Sequence, residues 1–337
     1  MKNYSLIITL FTCLITYAQD PIFTEYYMVP QTLNPGATAL QESSSVGLLH
    51  RYQWPNSKIP INSDYAFYNT FSEAMNSGIG VNVLSQIESF SHYRLLQVNL
   101  AYSYRVQLSR NWYFHPGLEV GYGTKNYGFQ NHVLGDQFNI DTGTINDFSI
   151  DPLLLNENVG YFDISAGAII NNEQFWFGLS VKHLNRPQIS FTNYGNTYLD
   201  MFFSVMASYT FEFQDQPRFI PYDTKLLLSA NFMQQGEYNR LDLGMGLRFD
   251  PVYAGLVLAT NPNSNTENAP IVTSLNPYLG FEYDHFKVGY SYDVIVNGMG
   301  QSGGIHELSL IYMFNLTKDC DGCPDYYKGP KTKTYLY

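Results

Sequence analysis

The chain has 337 residues, 16% of them aromatic and only 14% charged, with a formal net charge of -11. That charge content is roughly half the globular average of about 25%, too little to solvate an ordinary surface, and the acidic balance excludes nucleic acid, whose phosphates demand a basic face. Mean hydropathy is -0.19, and beyond the N-terminus no stretch reaches the roughly 18 to 20 apolar residues of a spanning helix, so the apolar residues are interleaved with polar ones, as in a lipid-facing barrel.

Residues 1–18 read as a secretory signal. Lys2 precedes an apolar run from Leu6 to Ile15, and Thr16-Tyr17-Ala18 supplies a small residue at the cleavage position, so the mature chain is expected to start at Gln19. Cys13 lies inside the apolar run after Thr12, a poor fit to a lipoprotein cleavage box. Residues 19–42 carry Pro21, Pro30 and Pro35, which cannot join a central ladder. They also carry Phe23, Tyr26 and Tyr27, which are unfavourable in water. This predicts an extended, non-strand segment lying below a barrel or inside it as a plug.

From residue 43 to 315 the pattern alternates with period two, and about fourteen strands can be counted. Leu96, Val98, Leu100, Tyr102, Tyr104, Val106 and Leu108 share one face, with Gln97, Asn99, Ala101, Ser103, Arg105 and Gln107 on the other. Leu241, Leu243, Met245, Leu247 and Phe249 likewise oppose Arg240, Asp242, Gly244, Gly246 and Arg248. Phe286, Val288, Tyr290, Tyr292, Val294 and Val296 oppose Lys287, Gly289, Ser291 and Asp293. The polar face is rich in Gly, Ser and Asn, unlike the charged outer face of a soluble sandwich, which predicts an all-β, antiparallel, up-and-down transmembrane barrel. An even strand number puts both termini in the periplasm. The short connectors Ser109–Asn111, Asn171–Glu173, Asp250-Pro251 and Asp284-His285 then fall on that side, and the long ones, 125–158, 185–198 and 261–272, fall outside. The last strand presents Leu308, Leu310, Tyr312 and Phe314 on one face, and a polar periplasmic tail, 316–337, follows.

Little in the chain suggests chemistry. His50, His92, His115, His132, His183, His285 and His306 form no metal-ligand spacing, and there is no nucleophile elbow, phosphate loop or dinucleotide fingerprint. No metal, cofactor or enzymatic activity is therefore expected. Charges of both signs fall on the lumen face at Arg51, Arg105, Glu119, Lys182, Asp242, Arg248, Glu282, Asp293 and Glu307. They line a selective pore or, as the mixed signs favour, pair with one another and stiffen the barrel. In the tail, Cys320 and Cys323 lie among Asp319, Asp321 and Asp325, which fits a disulfide better than a redox pair or a calcium loop. Asp136, Asp141, Asp147 and Asp151 make the longest outer loop acidic, which needs no more than a solvated surface.

Six ordered motifs resemble the PorP/SprF family of the Bacteroidota. Asp20-Pro21-Ile22-Phe23 with the later Asn34-Pro35 is similar to that family's opening, with Glu25 where Gln is usual. Arg51, Gln53 and Trp54 resemble its R-x-QW, Ser77-Gly78-Ile79-Gly80 its GGLG, and Gly135-Asp136-Gln137 its GDQ. His183-Leu184 with Pro187, Ser190 and Phe191 resembles HLxxPxxSF, and Gly303-Gly304-Ile305-His306-Glu307 resembles GGxHE. The resemblance implies a non-enzymatic outer-membrane barrel of the type IX secretion and gliding apparatus. It would support secretion or attachment of a cell-surface adhesin, in contact with outer-membrane lipid and with apparatus components including periplasmic lipoproteins. The alternative is a diffusion channel for small or apolar solutes.

Overall fold

The computed structural model describes residues 20–128, 133–139, 141–150, 158–191, 195–212, 224–262, 271–296 and 302–314. The segment expected to be a signal peptide, 1–18, and the tail with Cys320 and Cys323 lie outside the described residues. The strands are β1 (Ser44–Gln53), β2 (Ile61–Ser72), β3 (Ser77–Glu88), β4 (Tyr93–Tyr104), β5 (Val106–Gln107) and β6 (Tyr113–Asn126). Then come β7 (Phe138–Asn139), β8 (Thr144–Ile145), β9 (Asn158–Asn171), β10 (Phe175–Lys182), β11 (Phe202–Glu212) and β12 (Lys225–Gln235). The series closes with β13 (Tyr238–Phe249), β14 (Val252–Thr260), β15 (Val272–Tyr283), β16 (Phe286–Ile295) and β17 (Ile305–Phe314). β5 is a two-residue continuation of β4, and β7 and β8 form a separate hairpin, which leaves fourteen wall strands.

Every wall strand is antiparallel to its neighbours, and the ring closes where β1 meets β17, from Ser44↔Phe314 to Gln53↔Ile305. Closure removes the sheet edges that hydrocarbon cannot satisfy. Among the described residues no helix is long and apolar enough to cross a membrane. The strands cross instead, and their period-two pattern sorts the side chains. In β4, Leu96, Val98, Leu100 and Tyr102 are exposed while Gln97, Asn99, Ala101 and Ser103 are buried. β13 and β16 alternate in the same sense. The predicted run 96–108 does not continue unbroken, because the strand breaks at Arg105. Its N–H donates to Asn76 O (2.8 Å) and its guanidinium turns to Glu42, leaving Gln107 exposed.

The inside of the barrel is filled from the N-terminus. Residues 20–42 run through the lumen not as an extended chain but as three single 3-10 turns, Thr24–Tyr27, Pro30–Thr32 and Pro35–Ala37. Prolines at the start of two of the turns set the backbone angle such turns require. Phe23, Tyr26, Tyr27, Val29 and Leu33 are buried in one cluster with the inward side chains Leu49, Tyr65, Phe67, Phe202, Met206, Met233 and Met313. Tyr27 stacks on Tyr278 at 4.2 Å. Each such buried apolar side chain contributes about 1.5–3 kcal/mol. Apolar burial in this protein thus lies inside the lumen, around a segment that forms no strand.

Candidate functional site

The N-terminal segment is held along its length by wall residues. At its start, Asp20 accepts from His183 Nε2 at 2.5 Å, and the Asp20 N–H donates to Gln235 Oε1 at 2.9 Å. His183 Nδ1 meets Asp163 at 2.8 Å, so the imidazole bridges two carboxylates. Burial alone would lower the pKa of His183, but Asp20 and Asp163 outweigh it and hold the group up to about 9. Burial would likewise raise Asp20, yet the charge of His183 holds it well below the usual carboxylate range. Next to this bridge, Lys182 Nζ donates to Thr32 O at 2.5 Å, and Asn82 donates to Glu119 at 2.8 Å. Between them Pro21, Gln97 and Asn99 help line a polar cavity of about 30 Å³, room for one or two waters.

A second network holds the first turn. Glu307 accepts from the N–H groups of Thr24 (2.8 Å) and Glu25 (3.0 Å) and pairs with Arg51. Arg51 also lies 4.0 Å from Asp293, and Asp242 accepts from Arg240 Nε at 2.7 Å. At the opposite end of the lumen Arg248 and Lys287 share Glu282, at 3.2 and 3.0 Å, and Arg105 pairs with Glu42. The lumen charges therefore sit in paired groups, several of which grip the N-terminal segment.

Asn34 and Pro35 dock against the wall. Asn34 Oδ1 accepts from Gly36 N–H (2.8 Å), and its Nδ2 donates to Ala168 O and Leu179 O, both at 3.1 Å. A Cβ on Gly167 would lie 2.2 Å from Asn34 Oδ1, and one on Gly117 would lie 2.4 Å from Gly36 N, so the wall is glycine where this turn touches it.

The remaining motif residues shape the outer mouth. Gln53 and Trp54 end β1 at the rim, where Trp54 N–H donates to Gly304 O at 3.0 Å. His306 faces outward against Tyr290 OH, at 2.8 Å. Gly135, Asp136 and Gln137 form a turn in the long outer loop. Asp136 accepts from Ser149 Oγ and Ile150 N–H, each at 2.7 Å, and Gln137 bonds Leu134 N–H (2.8 Å) and Asn146 O (2.9 Å). These contacts brace a loop on which Phe138, Ile145, Phe148 and Ile150 stand exposed, the last two at 87% and 92%. After His183 the chain turns at Leu184 and folds inward. Leu199 N–H donates to the buried Pro187, and Ile189 and Leu199 pack on Leu95 and Tyr161. Ser190 follows, and Phe191 meets Tyr127 edge-on at 5.0 Å. Arg240 and Lys287 face the lumen as the alternation of their strands predicts, whereas Asp163, Lys125 and Glu42 join the lumen networks in addition to the predicted charges, although strand parity alone turns Asp163 inward.

A closed fourteen-stranded barrel, apolar outside and filled inside, defines an outer-membrane protein. The family model of the type IX secretion system membrane protein PorP/SprF matches residues 15–312, and the chain belongs to that family. It is therefore a type IX secretion membrane protein of the outer membrane, associated with the components of that system. No curated protein matches it. Among solved structures it is similar to the TodX monoaromatic hydrocarbon channel, at 8% identity and a TM-score of 0.47, over 84% of this chain and 92% of that one. CdiB from Acinetobacter baumannii matches at 9% identity and a TM-score of 0.45, over 81% of this chain, which spans 60% of CdiB. A Rhodopseudomonas blastica porin variant matches at 8% and 0.33, over 81% and 99%.

Proposed function

We propose that this barrel works by binding: it holds an exported cell-surface adhesin at its outer loops while its opposite end meets periplasmic components of the secretion and gliding apparatus, lipoproteins among them. The observation that carries the reading is the pairing of a filled lumen with a braced outer loop that exposes Phe138, Ile145, Phe148 and Ile150 to water. Such side chains on a soluble loop are a binding surface for protein. Most of the buried lumen charges are engaged with one another and with the N-terminal segment, which supports a closed, binding barrel. Deleting the gene is expected to remove a specific large protein from the cell surface while leaving small-solute uptake unchanged. Replacing residues 133–150 by a short turn should lose the same protein and keep the barrel. A deletion strain that displays its full set of surface proteins but loses permeability to one solute would establish the diffusion channel instead.

A further inference from the structure

Around most of the wall both edges of each strand are taken for nearly their whole length, and among the described residues β9 runs furthest past a neighbour. It pairs with β6 along its whole length, from Tyr113↔Asn171 to Asn126↔Asn158. Its pairing with β10 runs only from Asn171↔Trp176 to Ala166↔Val181. The cause is length: β10 has 8 residues against 14 in β9, and the chain leaves the wall at His183. The outer stretch of β9, residues 158–165, thus has a second edge with no strand on it. Backbone groups in an antiparallel strand point to alternate sides, residue by residue. Leu184 N–H donates to Ile164 O (2.9 Å), Ile164 N–H donates to Asn185 Oδ1 (3.2 Å), and Asn185 Nδ2 donates to Phe162 O (2.7 Å). These bonds fix the parity, so Asn158, Gly160, Phe162 and Ile164 address the open edge. The Asn185 carboxamide thus caps part of this edge, accepting from Ile164 N–H and donating to Phe162 O where a neighbouring strand would otherwise pair. Among the described residues no backbone bond takes up Gly160 or the Phe162 N–H on that side.

We infer that the outer half of β9 is a strand-addition site whose occupant is an extended segment of the exported surface protein. This rests on the binding role proposed above. The outer loop on which Phe148 and Ile150 stand exposed precedes β9 and departs from the same end of the barrel, where Asn126 pairs with Asn158, so the proposed binding surface and the open edge share the outer side. The flank of the edge is apolar, with Phe162 73% exposed and Ile164, Leu184 and Phe203 beside it. The added strand must therefore carry apolar side chains at alternate positions, while its backbone supplies the pairing. The chain's own C-terminal residues leave from the other end of the barrel, after Phe314.

The test uses the surface protein lost from the deletion strain, purified and added to the intact barrel in detergent, with exchange followed at single amides. The Gly160 and Phe162 amides should slow on binding, while those of Val159 and Tyr161, already paired to β6, should not change. Phe162→Pro removes an edge N–H and should weaken binding about tenfold, the scale of one or two lost backbone hydrogen bonds. Asn185→Ala clears the edge and should strengthen binding severalfold, which a purely structural role for Asn185 would not produce. Binding that leaves exchange at Gly160 and Phe162 unchanged would overturn the inference and leave the binding role standing. So would protection that arises from the barrel pairing with a second copy of itself. Failure of the two proteins to bind at all would overturn both.

Discussion

Asn34 shows how one side chain can fix the path of a segment that has no strand pairing of its own. Its three hydrogen bonds join the Pro35 turn to two wall carbonyls, and the wall is glycine at the points of closest approach. Gly167→Val would place carbon where Asn34 Oδ1 sits, an overpacking cost of about 1–3 kcal/mol. The expected result is faster proteolysis of residues 20–42 in the folded barrel, with the wall intact on gels; unchanged proteolysis would show that the turn does not anchor the segment. His183 acts by charge. Its pKa stands at about 9 in the folded protein, above the ordinary value of about 6.5. A raised value means that the stabilisation is complete below pH about 6.5 and is lost as pH rises through about 9. Melting temperature should therefore fall between those values in the native protein and stay flatter in His183→Gln. A fall of equal size in both would show that the bridge to Asp20 and Asp163 does not hold the segment.

At the scale of the element, period two carries nearly all the information, because which face a strand residue occupies is set by its immediate neighbours. That is why the wall strands and their two faces were legible in the sequence. Leu100→Arg or Leu247→Arg, each replacing an exposed side chain on the outer face, should cost about 2–4 kcal/mol in lipid. Asn99→Ala, on the lumen face, removes the hydrogen bonds to Asn82 and from Gln97 and should cost about 1–2 kcal/mol. Equal losses in a folding titration into vesicles would mean the faces are misassigned. What the alternation did not show depends on partners distant in the chain. Asp20 meets His183 across 163 residues, and Thr24 meets Glu307 across 283. The turns of the N-terminal segment, the break at Arg105 and the pairing of Arg105 with Glu42 are consequences of such contacts. The motif residues were visible as a pattern, but their division between gripping the segment and bracing the mouth was not.

For the whole molecule, strand number and filling have to be weighed together. Fourteen strands lie between the filled eight-stranded barrels and the open barrels of about 16–18 strands, so the wall alone does not decide whether solute passes. The decision falls to residues 20–42, whose aromatic side chains occupy the lumen and whose polar atoms are tied to Glu307, His183 and the wall carbonyls. Because Glu307 accepts from the Thr24 and Glu25 N–H groups, His183 bonds Asp20 and Lys182 bonds Thr32 O, pulling the segment out would strip buried hydrogen bonds from three charged wall residues, a cost of several kcal/mol. The segment should therefore stay in place under native conditions, and the native protein should pass no steady current in a planar bilayer. Removing residues 20–42 should yield a barrel that conducts, if it still shows the heat-dependent gel shift of a closed wall. To cover a variant that fails to fold, the full-length protein can be exposed to urea inside the bilayer, where unfolding of the segment should open a conductance that closes again on washing. Steady current through the untreated native barrel would show that the segment leaves a path, and the lumen charges would then have to be read as the lining of a pore.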